Sequence, residues 1–115
     1  DVMVVAAYGR ILPAEVLAGG VERRRATGEQ LELIVYDYPA GAVFAEHSHA
    51  AEQLTIVLTG ALVFRLGERE ERLEAGEALL VPGGEPHGAY VPADAGETRT
   101  INVFTPVRAA LPGGA

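Results

Sequence analysis

Three histidines, His47, His49 and His87, are the residues of this chain best suited to chemistry. His47 and His49 stand two apart on a predicted strand, so both imidazoles leave the same face. Two rings side by side form half of a metal site. Completed by an oxygen donor, they leave open positions for a substrate, as in non-haem iron facial triads. Gln53 follows His49 by four residues, and the small Ala50-Ala51 pair can make a tight connection that brings its amide beside the rings. His87 is far off in sequence but follows Pro82-Gly83-Gly84-Glu85-Pro86, a segment stiff enough to aim it. Spacing alone fits a metal site and hydrogen-bonded structural or surface histidines equally well. Cys is absent, which removes thiolate nucleophiles, thiolate ligands and disulfides. Lys is absent too, which removes Schiff-base chemistry and the phosphate-loop lysine.

The elements that must position these groups are short. Fourteen Gly and seven Pro cut the 115 residues into pieces too brief for most helices. β-type runs lie between them at 21–25, 31–38, 42–46, 54–58, 61–66, 78–81, 88–91 and 98–104, separated by turn signals such as Thr59-Gly60 and Gly67-Glu68. This pattern predicts a single all-β domain, sandwich or barrel. One helical segment is expected at 13–17, opened by Pro13 and ended by Gly19-Gly20. Residues 1–20 read as an N-terminal strand and helix extension, 21–108 as the domain and 109–115 as a tail. Leu54–Leu58 is apolar on both faces apart from Thr55, which suits a strand between two sheets or one shared with a homodimer interface. Sixteen acidic residues against nine Arg give a net charge of −7, which argues against nucleic acid or an anionic membrane as partner. No apolar run is long enough to span a membrane. No secretory signal is recognisable, and the cytoplasm is the expected compartment.

On the strand 98–104, Thr98, Thr100, Asn102 and Phe104 share one face, and Arg99, Ile101 and Val103 the other. A polar Asn among apolar neighbours suits a partly wet cavity, or an amide satisfied by backbone. Arg108, after Pro106, suits a carboxylate at a pocket mouth, or a solvated tail.

Two gapped motifs carry a resemblance. Gly41, five residues, His47-Ser48-His49, three residues, Gln53, six residues, Gly60 resembles the first cupin motif, G-x5-H-x-H-x3-E-x6-G, with Gln in place of Glu. Gly76, five residues, Pro82-Gly83-Gly84, two residues, His87 resembles the second, G-x5-P-x-G-x2-H-x3-N, with Val91 in place of Asn. Fifteen residues, Ala61 to Ala75, separate them, as in small single-domain cupins. The resemblance covers about Val21 to Arg108. It implies a double-stranded β-helix, the jelly-roll cupin barrel, and one divalent transition metal (Fe, Mn, Ni, Co or Zn) on His47, His49, Gln53 and His87. Four neutral ligands would leave the ion's charge uncompensated, favouring an anionic small molecule and an enolate. Glu52 is the competing ligand, but it faces the other side of a regular strand, so Gln53 is preferred.

Gly20-Val21-Glu22-Arg23, Glu52-Gln53 and Asn102 to Arg108 are similar to the pectin-degradation cupins of the KdgF type. That resemblance implies a metal-dependent isomerase acting on a sugar acid, converting 4,5-unsaturated uronates to linear keto sugars. Its pattern has Asp where this chain has Asn102, followed by the Phe and Arg matched here by Phe104 and Arg108. Asp can move a proton and Asn cannot. Asn102 would then orient the substrate and Arg108 clamp its carboxylate, with Tyr36, Tyr38, Glu52 or water moving the proton. Two further readings stay open on the same fold: an Fe(II)-dependent dioxygenase and a non-catalytic ligand-binding or sensor domain.

Overall fold

The computed structural model describes residues 10–11 and 14–107. Its strands are β1 (Arg10–Ile11), β2 (Glu15–Val16), β3 (Glu22–Thr27), β4 (Glu32–Tyr38), β5 (Val43–His47), β6 (Glu52–Thr59), β7 (Ala61–Leu66), β8 (Arg69–Glu74), β9 (Ala78–Val81), β10 (His87–Tyr90) and β11 (Thr98–Thr105). All pair antiparallel, in two sheets. The larger runs β1-β3-β4-β11-β6-β9 with β2 also on β3, and the smaller runs β5-β10-β7-β8. The chain passes repeatedly from one sheet to the other, so their inner faces pack on each other. Ile34, Tyr36, Val57, Val81 and Phe104 come from the large sheet, and Leu62, Phe64, Leu73 and Ala89 from the small one; all are buried in one cluster. Each large side chain sealed this way contributes roughly 1.5–3 kcal/mol. The all-β expectation holds.

Two local expectations are corrected. The helix expected at 13–17 is absent from its described part: Glu15–Val16 is a strand on β3, and the helical turn that follows spans only Ala18–Gly20. Gly19 and Gly20 both take positive φ (78° and 80°), which folds β2 back onto β3. Glu15 then pairs with Arg23 and Arg25 at 3.2 and 3.3 Å. Pro13 lies outside the described residues. The segment 69–74, read only as a spacer between the motifs, is strand β8. It forms a hairpin with β7 through Gly67, whose φ is +65°. Only Leu73 of β8 is buried; a charged edge strand of this kind discourages edge-to-edge association.

Register fixes what faces inward. Glu32, Phe104, Gln53 and Val81 form one row across the inner face of the large sheet. Ile34, Asn102, Thr55 and Leu79 form the next, then Tyr36, Thr100 and Val57, then Tyr38 and Thr98. The outer face carries Leu33, Val103, Leu54 and Leu80 in one row and Val35, Ile101, Ile56 and Ala78 in another.

Candidate metal centre

His47 ends β5 and is paired in register with His87, which opens β10, so the small sheet places these two rings directly opposite each other. Their centroids are 4.5 Å apart. His49 was expected on the same strand as His47. It lies instead in the crossing from β5 to β6, because the chain must leave the small sheet there to enter the large one. Its ring stands 5.0 Å from that of His87 and 5.7 Å from that of His47, and makes a T-shaped contact with Phe104. The crossing is tied to the segment leading to His87 by a bond from the Gly84 N–H to the His49 carbonyl, 2.8 Å. Convergence therefore comes from the crossover, not from strand alternation.

One ligand atom from each of the three imidazoles lies within 4.8 Å of the others. Each ring also places Nδ1 against a backbone carbonyl two residues away: Ala45 for His47 at 2.9 Å, Ala51 for His49 at 2.8 Å and Glu85 for His87 at 2.8 Å. A carbonyl only accepts, so every Nδ1 carries the proton and every neutral ring turns its Nε2 lone pair inward. His47 Nε2 is buried without a hydrogen-bond partner among the described residues. Converging lone pairs repel unless a cation lies between them. Carbonyl-oriented imidazole is also the usual support for a metal-binding ring.

Gln53, on the inner face of β6, is buried, with Oε1 3.0 Å from His49 Nε2. Neither atom has a proton for the other when His49 is neutral. Two donors held about 2.1 Å from one ion at right angles would stand about 3.0 Å apart. Three imidazole nitrogens and an amide oxygen thus fit a divalent ion, and any bound metal would be held by His47, His49, His87 and Gln53.

The other expected residues divide. Asn102 is buried on the inner face of β11, next to the centre, while Ile101 and Val103 are half-buried on the outer face. Tyr36, Tyr38 and Asn102 line a cavity of about 10 Å³ together with Phe44, His47, Gln53 and His87. Burial pushes the Tyr38 phenol above its ordinary range, so it stays neutral, although its bond with Thr100 opposes this. Phe104 is fully buried beneath His49. Glu52 is exposed on the face opposite Gln53, and the structure does not bring it to the centre. Arg108 lies outside the described residues. Sequence reading gave no role in the site to Thr55 and Thr100, which link these groups. Thr55 Oγ1 accepts from Gln53 Nε2 at 2.9 Å and donates to Asn102 Oδ1 at 2.6 Å, while Asn102 Nδ2 donates to Thr100 Oγ1 at 2.8 Å. The available signal was Thr55 itself, one polar residue in an apolar run, two after Gln53 and hence on its face. An open groove of about 660 Å³ lies at the other end of the strands, beside Tyr38 and Arg99. Its Asp37 is already bonded by Arg24 and Arg99, at 3.1 and 2.6 Å.

Comparison with known proteins agrees with this fold. The Cupin_2 family model, a cupin domain, matches residues 34–104. KdgF from Halomonas sp. is similar in structure, with a TM-score of 0.77 and 25% identity over 85% of this chain and 89% of that one. An RmlC-like cupin from Shewanella frigidimarina gives 0.76 and 24%, over 95% and 94%. The Cnp3 cupin domain of Schizosaccharomyces pombe gives 0.70 and 15%, over 79% and 68%. No curated protein matches the sequence.

Proposed function

The chain belongs to the Cupin_2 family, with its jelly-roll barrel and a three-histidine cluster inside it, and on that premise we propose that it is a metal-dependent enzyme acting on a small carboxylated or enolisable molecule, such as a 4,5-unsaturated uronate. The observation that carries this reading is the inward turn of the three Nε2 lone pairs beside the Gln53 oxygen. The likeness to KdgF from Halomonas sp. supports the substrate class. A bound divalent ion (Fe, Mn, Ni, Co or Zn) supplies Lewis-acid stabilisation of negative charge on a substrate oxygen. The four protein ligands are all neutral, which favours an anionic substrate.

His47 and His49 are half-exposed whereas Gln53 and His87 are buried, so the open side of the centre faces the crossing loop. The inner cavity holds about one water's volume. A sugar acid therefore sits toward that open side and sends only its reacting oxygen inward. Asn102 orients this end without moving a proton, and Arg108 clamps the carboxylate. Asn102→Asp, with metal loaded, is expected to raise turnover of 4,5-unsaturated galacturonate by about a hundredfold, the low end of what a general acid–base group contributes. The new carboxylate would set the pH profile. If neither form converts this compound while holding metal, the uronate assignment falls and the metal centre stands.

The proposal extends to a homodimer through the outer face of the large sheet. Leu54, Ile56, Ile101 and Val103 are half-buried there and Leu80 is 55% exposed, while the row beyond them, Glu22, Asp37 and Arg99, is charged. A contiguous apolar face bounded by charge suits a self-complementary contact. Ile56→Arg, at its centre, is expected to convert a dimer to a monomer in sedimentation velocity, with metal affinity retained. An unchanged sedimentation coefficient would remove this interface.

A further inference from the structure

The Gln53 amide has two chemically different ends, and only its oxygen can serve a metal. What sets its orientation can be followed proton by proton. Asn102 Nδ2 donates to the Ile34 carbonyl at 3.4 Å and to Thr100 Oγ1 at 2.8 Å. The carbonyl cannot donate, so this end of Asn102 is its NH2 and Oδ1 faces Thr55. Thr55 spends its single proton on that oxygen, at 2.6 Å. Toward Gln53 it has only a lone pair to offer, and it accepts from Gln53 Nε2 at 2.9 Å. Gln53 Oε1 is thereby turned to the histidines. The sheet register supports the arrangement, because Thr55 and Asn102 are direct cross-strand partners and Gln53 is the next inward residue on β6. Gln53, Thr55, Thr100 and Asn102 are all buried, so bulk water does not compete for these bonds.

We propose that Thr55 and Asn102 are positioning residues of the centre: they lock the Gln53 amide with its oxygen toward the histidines and so make Gln53 an oxygen ligand. The inference rests on the metal-centre reading and deepens it. It also separates this chain from one with Glu at position 53. A carboxylate has two equivalent oxygens and needs no such lock, whereas a flipped amide would present NH2 to the ion.

The test is Ni²⁺ binding by titration calorimetry, with X-ray absorption of the bound ion. Thr55→Val keeps the shape and removes the acceptor. It is expected to weaken binding about tenfold to a hundredfold, the usual effect of losing a ligand's support, and to delete one oxygen from the coordination shell. Thr55→Ser keeps the hydroxyl and is expected to stay within about threefold of the parent. Asn102→Leu frees the Thr55 proton to point at Gln53 and is expected to weaken binding as Thr55→Val does, so the test survives if either variant fails to fold. In a Gln53→Glu background, Thr55→Val is expected to cost less than about threefold. Unchanged binding in the folded variants, or an equal loss in the Gln53→Glu background, overturns the positioning role. Failure of the parent protein to bind Ni²⁺ overturns instead the metal centre on which the proposal rests.

Discussion

His49→Ala is expected to weaken divalent-metal binding by more than about a hundredfold, since losing even a residue that merely supports a ligand costs tenfold to a hundredfold. The fold should survive. His49 is half-exposed in the crossing between β5 and β6, outside the strand ladders, and the described contacts of its side chain are the Ala51 carbonyl, Gln53 and ring packing with its histidine neighbours and Phe104. Thermal unfolding reads both effects at once. A ligand that binds only the native state at a hundred times its Kd stabilises by about 2.7 kcal/mol, roughly a 10 °C rise in Tm for a domain of this size. The parent protein should show that rise when Ni²⁺ or Zn²⁺ is added and His49→Ala should show at most about 1–2 °C, with similar Tm values for the two metal-free forms. An equal metal-induced rise in both would remove His49 from the ligand set. A metal-free variant that does not fold would give the ring a structural role this geometry does not assign it.

The site was legible to the extent that short motifs encode it. The histidine spacing and the punctuating glycines stood out because each needs a particular residue type: an imidazole for a ligand, and glycine for the positive φ of Gly41, Gly60, Gly76 and Gly84. What stayed hidden depends on the path of the chain. Strict alternation placed His49 beside His47 on one strand, whereas the crossover brings it to the centre. Strand β8 was invisible because five of its six residues are not buried, leaving Leu73 alone to mark it. The helix expected at 13–17 failed because a Gly-Gly pair can close a hairpin as readily as it ends a helix, and the ion pairs of Glu15 with Arg23 and Arg25 favour the hairpin. The Gln53-Thr55-Asn102 chain spans two strands 47 positions apart between Thr55 and Asn102. No local pattern announces such a link, although Thr55 was conspicuous in its apolar run.

Gly83→Ala is expected to damage the centre without touching a ligand. In the second motif this position is unrestricted, lying between Pro82 and Gly84, yet here a Cβ on Gly83 would stand 2.4 Å from the Ala50 carbonyl oxygen and 3.3 Å from its carbon. Those are backbone atoms of the crossing that carries His49, so relief requires the crossing to move away from the segment leading to His87. Reaching even 3.0 Å takes a shift of 0.6 Å, from 2.4 Å. Metal–ligand distances tolerate only about 0.2 Å. Overpacking of this kind costs about 2 kcal/mol, roughly 7 °C in Tm, and metal affinity should fall by more than about tenfold. Gly84→Ala provides the contrast one residue on. Its Cβ would meet nothing within 4 Å, but its φ of +81° strains any side chain. It should lose about 1–2 kcal/mol to backbone strain while keeping metal affinity within about threefold, because nothing pushes the crossing. Calorimetric titration and melting curves of the two variants separate the effects. If both lose stability and Gly83→Ala keeps its affinity, contact between the two loops does not set the spacing of His49 from His87.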